Sequence, residues 1–124
     1  MIRRIGLPGT LLVVLAVWVA VPASLGADSR DEAKQWVHFG VDVAQRGLWR
    51  EAIYRWERAT ELDPTYAAAF NNLAVGYEHE GQMDKARQAY EKALALAPSD
   101  QQIRQNYELF KEINDRLGAE KETP

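Results

Sequence analysis

Along this chain the large apolar residues fall three or four positions apart, and the whole arrangement returns 34 residues later. With residues 33–66 as one unit and 67–100 as the next, Trp36 stands over Phe70, Phe39 over Leu73, Gly40 over Ala74 and Val43 over Tyr77. The second halves agree as well, with Gly47 over Gly81, Ala52 over Ala86, Trp56 over Tyr90, Ala59 over Ala93, Leu62 over Leu96 and Pro64 over Pro98. Such spacings put the side chains on one face of a helix, so each unit reads as two amphipathic helices. Gly47 and Gly81 fall between the two, where a residue free to take positive φ ends the first helix and turns the chain. Pro64 and Pro98 follow the second helix, which proline cannot continue, and each can open the next. The small residues Gly40, Ala52, Ala74 and Ala86 let paired helices approach while aromatic side chains fill the gaps between turns.

A further helix is expected over residues 100–117, with Ile103, Tyr107, Phe110 and Leu117 in one stripe and Gly118 as its stop. That stripe would cover the open face of the second unit, as the end of a stacked array requires. Leu109 and Ile113 lie about 80–120° round the same helix, which makes them either lateral packing or a contact surface for a partner or a second copy. Ser29 with Glu32, and Ser99 with Gln102, have the spacing of a capping box. The expected fold is therefore all-α, a solenoid of two helix–turn–helix units plus a C-terminal capping helix. It occupies residues 28–118, with 119–124 as a disordered tail. Trp36, Trp49 and Trp56 are expected to pack rather than to recognise a ligand.

The first 27 residues read differently. "MIRR" is a positive start, "LLVVLAVWVAV" over residues 11–21 is unbroken apolar sequence, and "PASLGA" adds a helix breaker and small residues. This is the layout of a secretory signal peptide, with cleavage after Ala23, Gly26 or Ala27. The alternative is an uncleaved anchor, since residues 5–27 carry no charge and would reach about 34 Å as one helix. The strictly apolar core covers only about 16 Å, which favours cleavage. Either way the remainder is expected to be exported, periplasmic or extracellular, with membrane contact only through this segment.

Composition narrows the partners. Setting aside Arg3 and Arg4 leaves thirteen basic residues against eighteen acidic, a balance of −5, with no basic stripe for a phosphate backbone, so nucleic acid is not an expected partner. There is no cysteine, which excludes disulfides, thiolate metal sites and a thiol nucleophile. His38 and His79 each lack a second histidine at helical spacing. In "EHE", residues 78–80, neighbours one position apart point to different sides of a helix and cannot jointly clasp an ion. With no Gly-rich phosphate loop and no G-x-S-x-G elbow, neither catalysis, a metal nor a cofactor is expected.

The period of 34 and the order of small and aromatic residues resemble the tetratricopeptide repeat, whose pattern runs W-x2-L-G-x2-Y, then A-x3-F, then P. The second copy, "FNNLAVGYEHEGQMDKARQAYEKALALAP", is close to that consensus almost throughout. The resemblance implies stacked helix pairs whose first helices line a concave face where partners lie. Carried over, that face would be Lys34, Val37, Val41, Ala44 and Gln45, then Asn71, Val75, Glu78 and His79, then Gln105 and Leu109. Such a strip, apolar at its centre and polar at its edges, suits a short amphipathic or extended peptide. Some members of the family hold a C-terminal carboxylate with a clamp of Lys, Asn, Asn, Lys and Arg. The matching places here hold Val37, Val41, Asn72, Gln102 and Asn106, so one residue agrees and every cation is missing. The expected function is an exported adaptor that binds a partner peptide on its concave face. The alternative is a membrane-anchored assembly factor that self-associates as a homo-oligomer through Leu109 and Ile113.

Overall fold

The computed structural model describes residues 24–122. They form five helices and no strand among the described residues: α1 (Ser24–Ala44), α2 (Trp49–Leu62), α3 (Ala67–His79), α4 (Met83–Leu96) and α5 (Gln101–Glu122). α1 pairs with α2 and α3 with α4, while α2 against α3 and α4 against α5 join the pairs into an all-α solenoid. The apolar run of residues 11–21, and with it the choice between leader and anchor, lies outside the described residues. Among those described, no helix is long and apolar enough to cross a membrane.

Both units turn in the same way. Gly47 and Gly81 take φ of 78° and 73°. The amide of Gly47 donates to Ala44 O at 2.8 Å and that of Leu48 to Val43 O at 3.1 Å; Gly81 to Glu78 O and Gln82 to Tyr77 O repeat the pattern at 3.0 and 2.8 Å. These paired bonds are the Schellman motif, which satisfies the last carbonyls of a helix when the following residue can adopt the left-handed region. The core then builds on small-against-large contacts. Trp56 is 2% exposed and lies against Gly40, with its indole Nε1 donating to Val37 O at 3.1 Å. A methyl carbon at Gly40 would stand 2.6 Å from Trp56 Cδ1, so the ring needs a glycine there. One cluster joins Ala33 and Val37 to Ala52, Ile53, Trp56, Ala59, Ala69 and Leu73. A second joins Ala74, Ala86, Ala89 and Tyr90 to Phe110 of the last helix.

The turn between units is tied to α1. Arg30 pairs with Asp63, donates from Nη2 to Thr65 Oγ1 at 2.9 Å and lies 4.8 Å over the Tyr66 ring. Burial alone would raise the Asp63 carboxyl, but the Thr65 hydroxyl and amide, followed by the Arg30 guanidinium, outweigh it and hold the group below its ordinary value.

Several sequence expectations are corrected at the ends of helices. α1 begins at Ser24, upstream of the expected domain start at 28, so Ser29 lies inside the helix and not at a cap. Asp100, not Ser99, caps α5, because its Oδ1 accepts the Ile103 amide at 3.0 Å three residues on, as an N-cap side chain does. Gly118 does not stop α5. The helix runs through it to Glu122, carried by Ala119, Glu120 and Lys121, which favour helix, so residues 119–122 are helical where a disordered tail was expected. Leu117 leaves the capping stripe: it is 45% exposed, whereas Ile103 and Phe110 are 4% and 2% exposed.

The repeat register also shows how the array ends. Ala69, Leu73 and Gly76 of α3 are buried against the preceding pair, and Ile103, Tyr107 and Phe110 take the same places on α5. On α1 those places hold Gln35, Phe39 and Asp42, two of them polar, and Phe39 is covered in part by the Arg55 guanidinium 6.0 Å from its ring. On the opposite face, Trp36, Gly40 and Val43, then Phe70, Ala74 and Tyr77, meet the second helix of their own unit. Their counterparts on α5 are Arg104, Glu108 and Lys111, a face that water solvates.

Candidate functional site

A cleft of 330 Å³ opens between α1 and α3. Val41, Ala44 and Gln45 form one wall, Asn72 and Val75 the other, with Trp49 and Trp56 from α2 completing it. None of the seven side chains carries a charge. Gln45 and Asn72 bring carboxamides, each able to donate and accept hydrogen bonds, to an otherwise apolar lining. Trp49 is fixed by stacking on His79, the rings 3.6 Å apart and 6° from parallel. A larger recess of 440 Å³ lies at the turn side, lined by Gly47, Leu48, Trp49, Arg50, Glu51 and Glu80. Its charged groups answer one another, Arg50 Nε standing 3.3 Å from Glu80 Oε2, which leaves little unmatched chemistry for a ligand.

The structure divides the inner face expected from sequence. Val41, Ala44, Gln45 and Val75 meet in the cleft. Val37 and Asn71, expected on that face, are instead 9% and 8% exposed. Val37 packs with Ala69 and Leu73 of α3, and Asn71 Oδ1 accepts the Asn106 amide at 3.1 Å, so both act inside the stack. Lys34 is exposed and bonds Asp31 at 3.4 Å. Glu78 accepts the Tyr90 hydroxyl and adjoins His79 in a shallow recess. Gln105 and Leu109 do not reach the cleft; Leu109 is 56% exposed on α5. Trp49, Trp56 and Asn72 line the cleft but were not expected there. Asn72 is adjacent to an expected residue, and Trp49 stands 34 positions before Met83, an aromatic where the second unit is aliphatic.

Hydrogen bonds from phenols to carboxylates tie each helix from α3 onward to the one before it. Tyr77 donates to Glu57 at 2.9 Å, Tyr90 to Glu78 and Tyr107 to Glu91 at 3.0 Å. Burial, reinforced by the neighbouring carboxylate, pushes all three phenols above their ordinary ionisation range. Tyr90, Tyr107 and Phe110 also pack ring on ring, with centroids 5.4 to 6.2 Å apart. Among the described residues no cluster of side chains could hold a metal ion.

Antiparallel helix pairs stacked in one register, with matched turns and a solvated last helix, define a helical-repeat protein. The family profile described as Tetratricopeptide repeat matches residues 67–100, and the one described as TPR repeat matches residues 43–79. The chain is a tetratricopeptide-repeat protein, and its repeats make it a protein–protein interaction module. It is 28% identical over 85 residues to the tetratricopeptide repeat domain-containing protein PYG7, chloroplastic, of Arabidopsis thaliana, covering 68% of this chain and 28% of that one. It is 34% identical over 79 residues to the type IV pilus assembly protein PilF of Pseudomonas aeruginosa, covering 63% and 31%. With the cell division cycle protein 27 homolog of Caenorhabditis elegans it shares 27% identity over 106 residues, 79% of this chain and 14% of that one. The chain thus spans less than a third of the length of each of these relatives.

Proposed function

We propose that this protein is an exported adaptor that holds a protein partner by inserting an apolar side chain of an extended or amphipathic peptide segment into the cleft between α1 and α3. The observation that carries the reading is the cleft itself, apolar and without a charged side chain in its lining. Val41, Val75 and the tryptophans supply contact area, and the Gln45 and Asn72 carboxamides bond the peptide backbone beside the anchoring residue. With no cation in the lining, a peptide ending in a carboxylate gains nothing there over an internal segment. Export rests on the N-terminal layout of Arg3 and Arg4, the apolar run and the small residues that follow. A role in assembly agrees with one relative, which is a type IV pilus assembly protein. The reading involves no catalytic step and no cofactor.

The test is capture from the native envelope fraction by wild type and by the double variant Val41→Glu, Val75→Glu. Both valines are only half-buried, so helical content should hold while capture is lost. Undiminished capture by the charged variant would refute the cleft as the binding site. Mass spectrometry of the exported protein tests the leader, and a mature N-terminus near Ser24 or Asp28 is the expected result.

A further inference from the structure

The outer half of α5 is built unlike the other first helices. Its face that would meet a following helix is polar, with Arg104, Glu108 and Lys111 in the places held by Trp36, Gly40 and Val43. Yet Leu109, Ile113 and Leu117 stand 56%, 46% and 45% exposed in a single row four residues apart. α5 is long, 22 described residues against 14 for α4, about 33 Å against about 21 Å. From Lys111 to Lys121 none of its side chains is buried. A helix solvated on one face and left aliphatic on another has a row that the rest of the fold does not use.

We propose that this row is a self-association surface, on which a second copy of the chain docks its own α5 antiparallel about a two-fold axis at Ile113. Three features select this occupant. The row is symmetric about Ile113, so antiparallel pairing sets Ile113 against itself and Leu109 against Leu117 of the other copy, as an isologous interface requires. The charges beside the row follow the same symmetry. Arg116 lies on the flank that also carries Glu112 and, further round, Glu108, and the two-fold brings each Arg116 level between Glu108 and Glu112 of the second copy. Within one chain Arg116 pairs with Glu112, so dimerisation exchanges an internal ion pair for one across the interface. Finally, the two helical bodies do not collide. Each stacks against the part of α5 before Ile113, and antiparallel pairing places them at opposite ends of the joint. The interface is independent of the cleft, whose lining residues lie on α1, α2 and α3.

The chain contains no cysteine, so one introduced thiol reports the geometry without interference. In the full chain, expressed in its host and treated with a mild oxidant, Ile113→Cys should cross-link to a dimer, because the two-fold places it against its own copy. Leu109→Cys alone should not, since its equivalent lies about 12 Å away along the helix axes, beyond the about 7 Å that a disulfide can bridge; combining Leu109→Cys with Leu117→Cys should restore the link. Cross-linking of both single variants would mean parallel pairing, and of neither, no pairing; each overturns the proposal. By sedimentation over a concentration series, Ile113→Glu should weaken dimerisation at least tenfold. Arg116→Glu should weaken it too, and Arg116→Glu with Glu112→Arg should recover it. An association constant indifferent to Ile113→Glu, or a charge exchange without recovery, would refute the interface.

Discussion

Adding one methyl group at Gly40 probes the contact on which the first unit depends. An alanine there would place its Cβ 2.6 Å from Trp56 Cδ1 and 2.8 Å from Cε2, where carbon atoms in contact rest at about 3.5–4.0 Å. The obstacle is an indole ring 2% exposed and tethered through Nε1 to Val37 O at 3.1 Å, not the free end of a flexible chain. Overpacking of this kind costs about 1–3 kcal/mol, and moving the ring off its carbonyl costs about 1 kcal/mol more. Against that, alanine gains about 1 kcal/mol of helix propensity over glycine. The packing terms win, and Gly40→Ala should lose about 1–3 kcal/mol. The second unit supplies a natural control, since the same two positions hold Ala74 and Tyr90, both buried. A larger small residue is thus accommodated by a smaller aromatic. Trp56→Tyr alone should be destabilising through the void it opens and the lost indole donor, while Gly40→Ala with Trp56→Tyr should cost less than the two single changes summed, by about 1 kcal/mol or more. Urea denaturation followed by helical circular dichroism measures this, with the midpoint moving and the slope constant. A midpoint raised by Gly40→Ala, or strictly additive costs, would show that Trp56 is not held as described.

Other consequences are testable at single residues. Because Asp63 titrates below its ordinary 3.8, its stabilising effect is complete above that value and is lost as pH falls through the lower, native one; Asp63→Asn should be less stable than wild type at neutral pH, and the gap should close below pH 3.8. The gap should stay within about 1 kcal/mol, since the Arg30 side chain is 38% exposed and water screens the pair. The raised ionisation of Tyr77 and Tyr90 has the opposite sign: the stability it contributes is complete below 10.0 and is lost as pH rises beyond, so an absorbance titration should find these phenols neutral past pH 10 until the fold gives way, and earlier ionisation would contradict their burial. Asn106→Ala strips the buried Asn71 of its partner and should cost about 1–3 kcal/mol in the same denaturation assay, with Asn71→Leu and Asn106→Leu together costing less than that single change.

How far sequence could reach is set by what periodicity encodes. A repeat of 34 gives the angle at which a side chain leaves its helix, and where every unit meets the same neighbour that is enough: both turns, the small positions Gly40, Ala52, Ala74 and Ala86 at which paired helices approach, and the order of the five helices were legible. Burial depends as well on whether the next helix is there. Val37, Asn71 and Gln105 occupy one register position on α1, α3 and α5, yet Val37 and Asn71 are 9% and 8% exposed while Gln105 is open to solvent. α3 covers Val37 and Asn106 of α5 covers Asn71, but no described helix follows to cover Gln105. The same progression runs through Val41 and Val75, half-buried beside the cleft, to Leu109 at 56%. An inner face carried over by alignment therefore misjudges depth, most at the ends of the array. The extension of α5 through Gly118 escaped for a related reason. A glycine marks a helix end when its neighbours demand a turn, as at Gly47 and Gly81, where the next helix must fold back onto the last. Gly118 keeps a negative φ, unlike Gly47 and Gly81, and no described helix follows to fold back on α5, so nothing rewards a turn and the helix continues on local propensity.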